Sequence, residues 1–306
     1  MVALAPMAGV TDASYRQLIK RIAPEVVLYT EFLSTDALAY GAKRTMEMLA
    51  FDATIERPFI VQVFGDTPQH FLEAAKIIES IGADGIDINM GCPAAKVVSS
   101  CHGAALIKNP PLAAELVHAT KKAVSIPVSV KTRLGWDRAD TLIAFCRGLE
   151  EAGADAFAIH GRRYCDKFTG KADWSQIYEL KKAVKVPVLG NGDVNSAQDA
   201  LEKIGNLDGV MVGRGTFGNP WVMREICDAF DGKPAPDVPK TFQEKLPMII
   251  EHCELSVAIK GERLGMLEMR RHLSSYVKGF DGAADLRSKL VRVETLADAK
   301  SLLLSV

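Results

Sequence analysis

Short runs of β-branched and aliphatic residues alternate with longer stretches whose apolar residues recur at i, i+3 and i+4, and the alternation begins within the first five positions. The short runs predict strands over Val2–Ala5, Val26–Thr30, Phe59–Phe64, Gly85–Asn89, Val128–Lys131, Ala156–His160, Val186–Gly190 and Gly209–Val212. The longer stretches predict helices between them, such as Phe71–Ile81, Leu112–Val124, Leu142–Ala152, Ile177–Val184 and Ala197–Ile204. Strand and helix in strict alternation imply a parallel sheet. Eight such repeats within roughly 230 residues fit a closed (β/α)8 barrel followed by a smaller unit.

Punctuation between the elements agrees with this. Gly82, Gly153 and Gly205 each stand between a helical stretch and the next strand, where a residue of positive φ ends a helix. Pro127 and Pro187 each open a strand, a place where a missing N–H does little harm. After Trp221 the alternation stops. Residues 231–239 read as a proline-rich linker, and from Thr241 onward the pattern is helical without strands. The expected organisation is a barrel domain over 1–232 and an all-helical domain over 240–306.

Composition narrows the class. Of 306 residues, 48% are hydrophobic and 25% charged, as in an ordinary globular protein, and the formal net charge of −1 supplies no global field to attract nucleic acid. Any RNA binding must then come from local basic patches. Arg270, Arg271, His272, Lys278, Arg287, Lys289 and Arg292 can form one such face in the helical tail, although charge runs are usually solvated surface. The six cysteines are scattered without a C-x-x-C pair, so neither a disulfide framework nor a zinc site is expected, and no metal is assigned. With no signal-like leader and no apolar run of membrane-spanning length, a reducing cytoplasm is the expected compartment.

In a parallel barrel the chemistry sits at the C-terminal ends of the strands. There the sequence places Pro6-Met7-Ala8-Gly9, Gln62, Asn89-Met90-Gly91-Cys92-Pro93, Lys131-Thr132-Arg133, His160-Gly161-Arg162, Asn191-Gly192-Asp193 and Gly213-Arg214-Gly215. Polar and ionisable groups thus gather at one end of nearly every strand, where chance would scatter them between both. The two glycine turns after the last two strands suit a phosphate, with Arg214 adding charge. Gly213-x-Gly215-x-x-Gly218 matches a dinucleotide-binding pattern in letters only, because no second strand with an acidic residue follows it. Lys131 can stabilise the anion of a reduced flavin or form a Schiff base, and position alone does not separate the two. Gln62 offers an amide to a pyrimidine edge. Cys92, between Gly91 and Pro93, is expected at the mouth as a protonated thiol able to act as an acid. Cys146, Cys227 and Cys253 read as small buried residues. His160 is an acid–base candidate that suits equally a cofactor-holding role, which we favour.

Together the segments Ala5-Pro6-Met7-Ala8-Gly9-Val10-Thr11-Asp12, Asp87-Ile88-Asn89-Met90-Gly91-Cys92-Pro93, Lys96-Val97, Gly103-Ala104, Lys131-Thr132-Arg133-Leu134-Gly135-Trp136, His160-Gly161-Arg162, Asn191-Gly192-Asp193, Gly213-Arg214 and Pro220-Trp221 resemble the tRNA-dihydrouridine synthases, most closely the bacterial B-type. The resemblance implies FMN held in the barrel mouth by Pro6, Met7, Ala8, Gln62, Lys131, His160, Asn191, Gly192, Asp193, Gly213 and Arg214. It implies NADPH as the transient hydride donor and Cys92 as the catalytic acid. Asn89 and Arg133 would help hold the target base, and Arg270 and Arg271 lie in a basic segment expected to meet tRNA. The implied reaction reduces the C5=C6 bond of a D-loop uridine, with hydride to C6 and a proton from Cys92 to C5. No membrane and no obligatory protein partner are implied, and a monomer is expected.

Three departures from the family pattern stand out: the run Ala94–Gly103 after Cys92, Arg163 where threonine is common, and a start directly at the first strand. The competing readings are a flavin barrel acting on a free pyrimidine, resembling dihydroorotate or dihydropyrimidine dehydrogenases, a colourless aldolase-type barrel using Lys131, and a tRNA-binding folding helper. The helical tail argues against the first of these, since a small substrate needs no RNA-gripping domain.

Overall fold

In the computed structural model, which describes residues 1–306 apart from the side chain of Lys96, all strand pairings are parallel and their order closes on itself. The strands are β1 Val2–Leu4, β2 Leu28–Tyr29, β3 Leu33–Ser34, β4 Phe59–Phe64, β5 Gly85–Met90, β6 Val128–Arg133, β7 Ala156–His160, β8 Val188–Asn191 and β9 Gly209–Val212. Each of β4 to β8 pairs with the next in sequence, β9 pairs with β1, and β2 and β3 both pair with β4. The ring is completed by a bridge between Ala3 and Val27, with Leu4 N–H donating to Val27 O at 2.9 Å. The barrel expected from the repeat pattern is therefore present.

The second barrel strand differs from its expected span. A continuous strand over Val26–Thr30 is replaced by two short pieces, β2 and β3, separated by Thr30–Phe32. The hydroxyl of Thr30 explains the break: it accepts the backbone N–H of Gln62 at 3.0 Å, in place of a backbone carbonyl. Glu31 and Phe32 are thereby displaced from the ladder, and Phe32 lines the mouth.

Period-two alternation sorts the strand residues into two faces. Outward residues such as Leu4, Val61, Ile88, Val130, Ile159 and Val210 join the core between sheet and helices. Inward ones are small or polar. Ala3, Ala5, Tyr29, Ala158, Leu189 and Met211 form a separate internal cluster, and Gln62, Asp87, Asn89, Lys131, His160 and Asn191 share its side of the sheet. The alternation that builds the barrel wall therefore delivers the polar groups to its axis.

Gly190 on β8 shows how tight the wall is. A Cβ there would lie 2.0 Å from the ring of Trp174, which is itself buried and donates its indole N–H to Gly192 O at 3.1 Å. Gly190→Ala is expected to cost about 1–3 kcal/mol through overpacking, read as a shift in a denaturation curve. An unchanged midpoint would show that Trp174 can move freely.

Beyond β9, a helix over Val222–Phe230 closes the barrel layer, and residues 231–240 carry no regular element. Helices over Phe242–Lys260, Glu262–Tyr276, Ala283–Leu290 and Leu296–Leu304 then pack around a core of their own. Thr241 starts the first of them with a reciprocal capping box to Glu244. This unit sits against the helix Ala13–Ile22, where Tyr15 packs on the contacting pair His272 and His252, at ring separations of 4.9 and 5.5 Å. Lys260 bridges Asp12 and Glu268 across the same seam. Burial alone would raise the Asp12 carboxyl, but the positive neighbours, Lys260 first, hold it well below the usual carboxylate range. No helix among the described residues is long and apolar enough to cross a membrane.

Candidate active site

The C-terminal ends of the strands open into a cavity of about 550 Å³. Of the residues singled out in the sequence, Pro6, Met7, Ala8, Asn89, Cys92, Lys131, Arg133, His160, Asn191, Gly192, Asp193, Gly213, Arg214 and Arg271 all line it.

Two do not. Gln62 is fully buried beneath the floor, where its Nε2 donates to Asp87 Oδ2 at 2.6 Å and its Oε1 accepts from Asn89 Nδ2 at 2.9 Å. It reaches the cavity only through Asn89. Arg270 is turned back into the helical unit and donates to Val293 O at 2.9 Å and Arg292 O at 3.3 Å. Its neighbour Arg271 instead reaches the cavity and donates to Ala8 O at 2.8 Å.

Cys92 is half-buried on the loop after β5, and the loop is fastened from both sides. Asn89 Oδ1 accepts the N–H groups of Gly91 at 3.1 Å and Cys92 at 2.9 Å. Arg133 Nε donates to Gly91 O at 2.7 Å, and the Ala104 N–H donates to Cys92 O at 3.2 Å. Both amide ends of Asn89 are thus engaged in shaping the loop or the layer beneath it.

Lys131 sits at the centre with few partners. Among the described residues, its ammonium has one hydrogen-bond acceptor, Asn191 Oδ1 at 3.1 Å. Burial, then the nearby Arg133, push its proton affinity down, with Asp87 opposing them. A half-buried cation that keeps unspent donors and faces the guanidinium of Arg133 is suited to an anionic or carbonyl-bearing ligand.

His160 is held neutral. Burial first, then Lys131, Arg133, Arg162 and Arg214, drive its pKa far below the ordinary imidazole value. Arg162 Nη1 lies 3.4 Å from His160 Nε2. Because a guanidinium can only donate, Nε2 must accept, and the ring proton belongs on Nδ1. A neutral imidazole of fixed tautomer is a hydrogen-bond partner for a cofactor rather than a proton shuttle.

Asp193 is tied to Arg162 at 2.8 Å and lies 3.8 Å from Arg214, and it accepts the Ala172 N–H at 2.7 Å. Its carboxylate therefore steers two arginines, and it would repel a phosphate, to which its loop can offer only backbone. Arg214 keeps its guanidinium half exposed at the mouth, beside the Gly192 and Gly213 turns.

These features fit FMN. A neutral histidine and an under-partnered, half-buried lysine would meet the ring, and two glycine turns with a half-exposed arginine would meet the phosphate. Among the described residues, no group of three or more His, Cys, Asp or Glu side chains is placed to hold a metal ion.

A model of the dihydrouridine synthase family matches residues 3–305. The chain belongs to that family. It is 37% identical over 302 residues to a probable tRNA-dihydrouridine synthase 1 of Synechocystis sp., covering 97% of this chain and 84% of that one. A probable tRNA-dihydrouridine synthase of Mycobacterium tuberculosis is 40% identical, with 99% and 81% covered. The tRNA-dihydrouridine synthase B of Pseudomonas aeruginosa is 36% identical, with 95% and 88% covered. Among solved structures, a 2-naphthoyl-CoA reductase complex superposes with a TM-score of 0.58 at 12% identity, over 76% of this chain and 50% of that longer one, which bears on the barrel fold alone.

Three residues of this dihydrouridine synthase family member are given no role in the site by its sequence. Asp87 lies fully buried on β5 under the cavity. Arg162 is 3% exposed and organises both His160 and Asp193. Phe168 stands 54% exposed at the mouth, with the guanidinium of Arg133 5.4 Å and that of Arg214 5.2 Å from its ring centre. A signal for Arg162 was present, since it stands two residues beyond His160 at a strand end. Phe168 lies in a loop, where no periodicity reports direction.

Proposed function

We propose that the protein is an FMN-dependent tRNA-dihydrouridine synthase that uses NADPH and reduces the C5=C6 bond of a D-loop uridine, as a cytoplasmic monomer. The observation that carries this reading is the convergence of Cys92, Lys131 and His160 with two glycine turns on one cavity, in a chain of this family. When bound, FMN would supply hydride chemistry for the C6 position of the uracil ring, with NADPH as the reductant. Cys92 gives its thiol proton to C5, and the thiol is restored from solvent. Lys131 and His160 would hold the pyrimidine edge of the cofactor, with Pro6, Met7 and Ala8 lining the ring site, while Arg214 and the turns at Gly192 and Gly213 would hold its phosphate. A base within a stacked helix cannot reach such a cavity, so the target uridine must be extruded. Phe168 offers it an exposed aromatic face at the entrance. The helical unit would bind the tRNA backbone through its cations, with Arg271 at the seam with the cavity and Arg270 serving the unit's own fold.

The test is mass spectrometry for dihydrouridine after incubation with NADPH and tRNA from a strain lacking such synthases. Dihydrouridine at a D-loop position is expected. A yellow protein that leaves every tRNA unchanged yet turns over free pyrimidines would replace this reading. For Lys131, substitution by methionine is expected to slow flavin reduction about 100-fold, the order of losing one preorganised charge-stabilising donor. Stopped-flow absorbance would check this, and an undiminished rate would remove Lys131 from the proposed cofactor contacts.

A further inference from the structure

We propose that Asp87 is a positioning residue for Cys92, acting through Gln62 and Asn89 as a one-way hydrogen-bond relay. The importance of this for turnover rests on the reading of Cys92 as the proton donor. Asp87, Gln62 and Asn89 point to the barrel axis from adjacent strands, with Gln62 opposite Asp87 in register. The Asp87 carboxylate accepts from Ser129 Oγ at 2.6 Å and from Gln62 Nε2 at 2.6 Å. An ionised carboxylate has no proton to give, so Gln62 must turn its NH2 group toward it. That leaves Gln62 Oε1 for Asn89, whose Nδ2 donates to it at 2.9 Å. Asn89 Oδ1 then faces the loop and accepts both the Gly91 and the Cys92 N–H groups, at 3.1 and 2.9 Å.

One buried charge thus decides the orientation of two amides, each of which would otherwise have two near-equivalent settings. If Asn89 turned over, its NH2 would confront two backbone N–H groups, and the loop holding Cys92 would lose its inner fastening. Burial raises the Asp87 carboxyl to about 6, still on the ionised side of neutral pH. The hydrogen bonds from Gln62 and Ser129 and the nearby charge of Lys131 oppose that rise and favour the ionised form.

The experiment is peptide-resolved alkylation of the purified, cofactor-loaded protein by iodoacetamide, with exposed Cys165 as an internal reference. Asp87→Asn keeps shape but can donate as well as accept. It is expected to raise the Cys92 rate at least threefold relative to Cys165. The double variant Asp87→Asn with Gln62→Glu moves the carboxylate one step along the relay. There it can accept from the new amide at position 87 on one side and from Asn89 on the other, and it is expected to return the ratio to that of the wild type. An unchanged ratio in the single variant overturns the relay, and so does failure of the double variant to restore it, which would leave Asp87 a packing role. Should Asp87→Asn not fold, Asn89→Asp takes its place. It sets a carboxylate oxygen against Gln62 Oε1, and the same threefold rise supports the relay while an unchanged ratio overturns it. Alkylation needs no tRNA, so its outcome is separate from that of the dihydrouridine assay.

Discussion

Cys92→Ala is expected to lower dihydrouridine formation by about 10²–10⁴-fold while leaving the protein folded and its flavin bound, which is the range for loss of a positioned general acid. The backbone, and not the thiol, holds this residue in place: its N–H goes to Asn89 and its carbonyl to Ala104. Alanine also keeps the Cβ that packs near Gly103, where an added Cβ would come within 3.2 Å of it. The substitution therefore removes the proton and little else. Mass spectrometry of product and the visible absorbance of bound flavin measure the two halves of this statement. A variant that keeps more than about a tenth of wild-type turnover would mean that the proton comes from another group or from water.

The largest stability loss is expected at Glu56. Its carboxylate is fully buried and meets Arg16 Nε at 2.7 Å, while Gln17 Nε2 and the Asp52 N–H donate to its other oxygen at 3.1 and 3.0 Å. Arg16 Nη1 and Nη2 donate to Thr11 O and Ala50 O, and the guanidinium lies 4.9 Å from the centre of the Phe59 ring. Removing one member of a buried pair strands the other charge in a medium that cannot solvate it, which costs about 3–5 kcal/mol. Glu56→Ala should lower unfolding free energy by that amount in urea titrations. A loss under about 1 kcal/mol would show that water enters and solvates Arg16.

The barrel was readable from the chain because period-two strands and period-3.6 helices alternate without interruption, and because Gly82, Gly153 and Gly205 mark the helix ends, all with positive φ in the structure. What could not be read was anything that depends on a side chain acting where a backbone group was expected. The hydroxyl of Thr30 taking the Gln62 N–H is such a case, and it splits the second strand. Most of the cavity lining was readable because strand ends define the mouth. The sequence places Gln62 on the cavity side although it lies one layer below the lining, since alternation gives the face of a strand residue but not its depth along the axis. Arg270 and Arg271 were indistinguishable in sequence. Successive residues on a helix point about 100° apart, so one can face the cavity and the other its own domain, and only packing decides which.

The closure of the ring carries a consequence for the order in which the protein matures. β1 leads into the Pro6–Gly9 segment of the mouth, yet its ladder partner β9 lies about two hundred positions downstream, and Arg271, which braces Ala8, is further still. During synthesis the first strand must therefore wait, with one edge unpaired, until more than two-thirds of the chain has emerged. Contacts of such long sequence separation form slowly and expose intermediates to misassembly. The cofactor pocket is then among the last parts of the molecule to exist, and flavin, by binding only the finished ring, favours completed chains over partly folded ones.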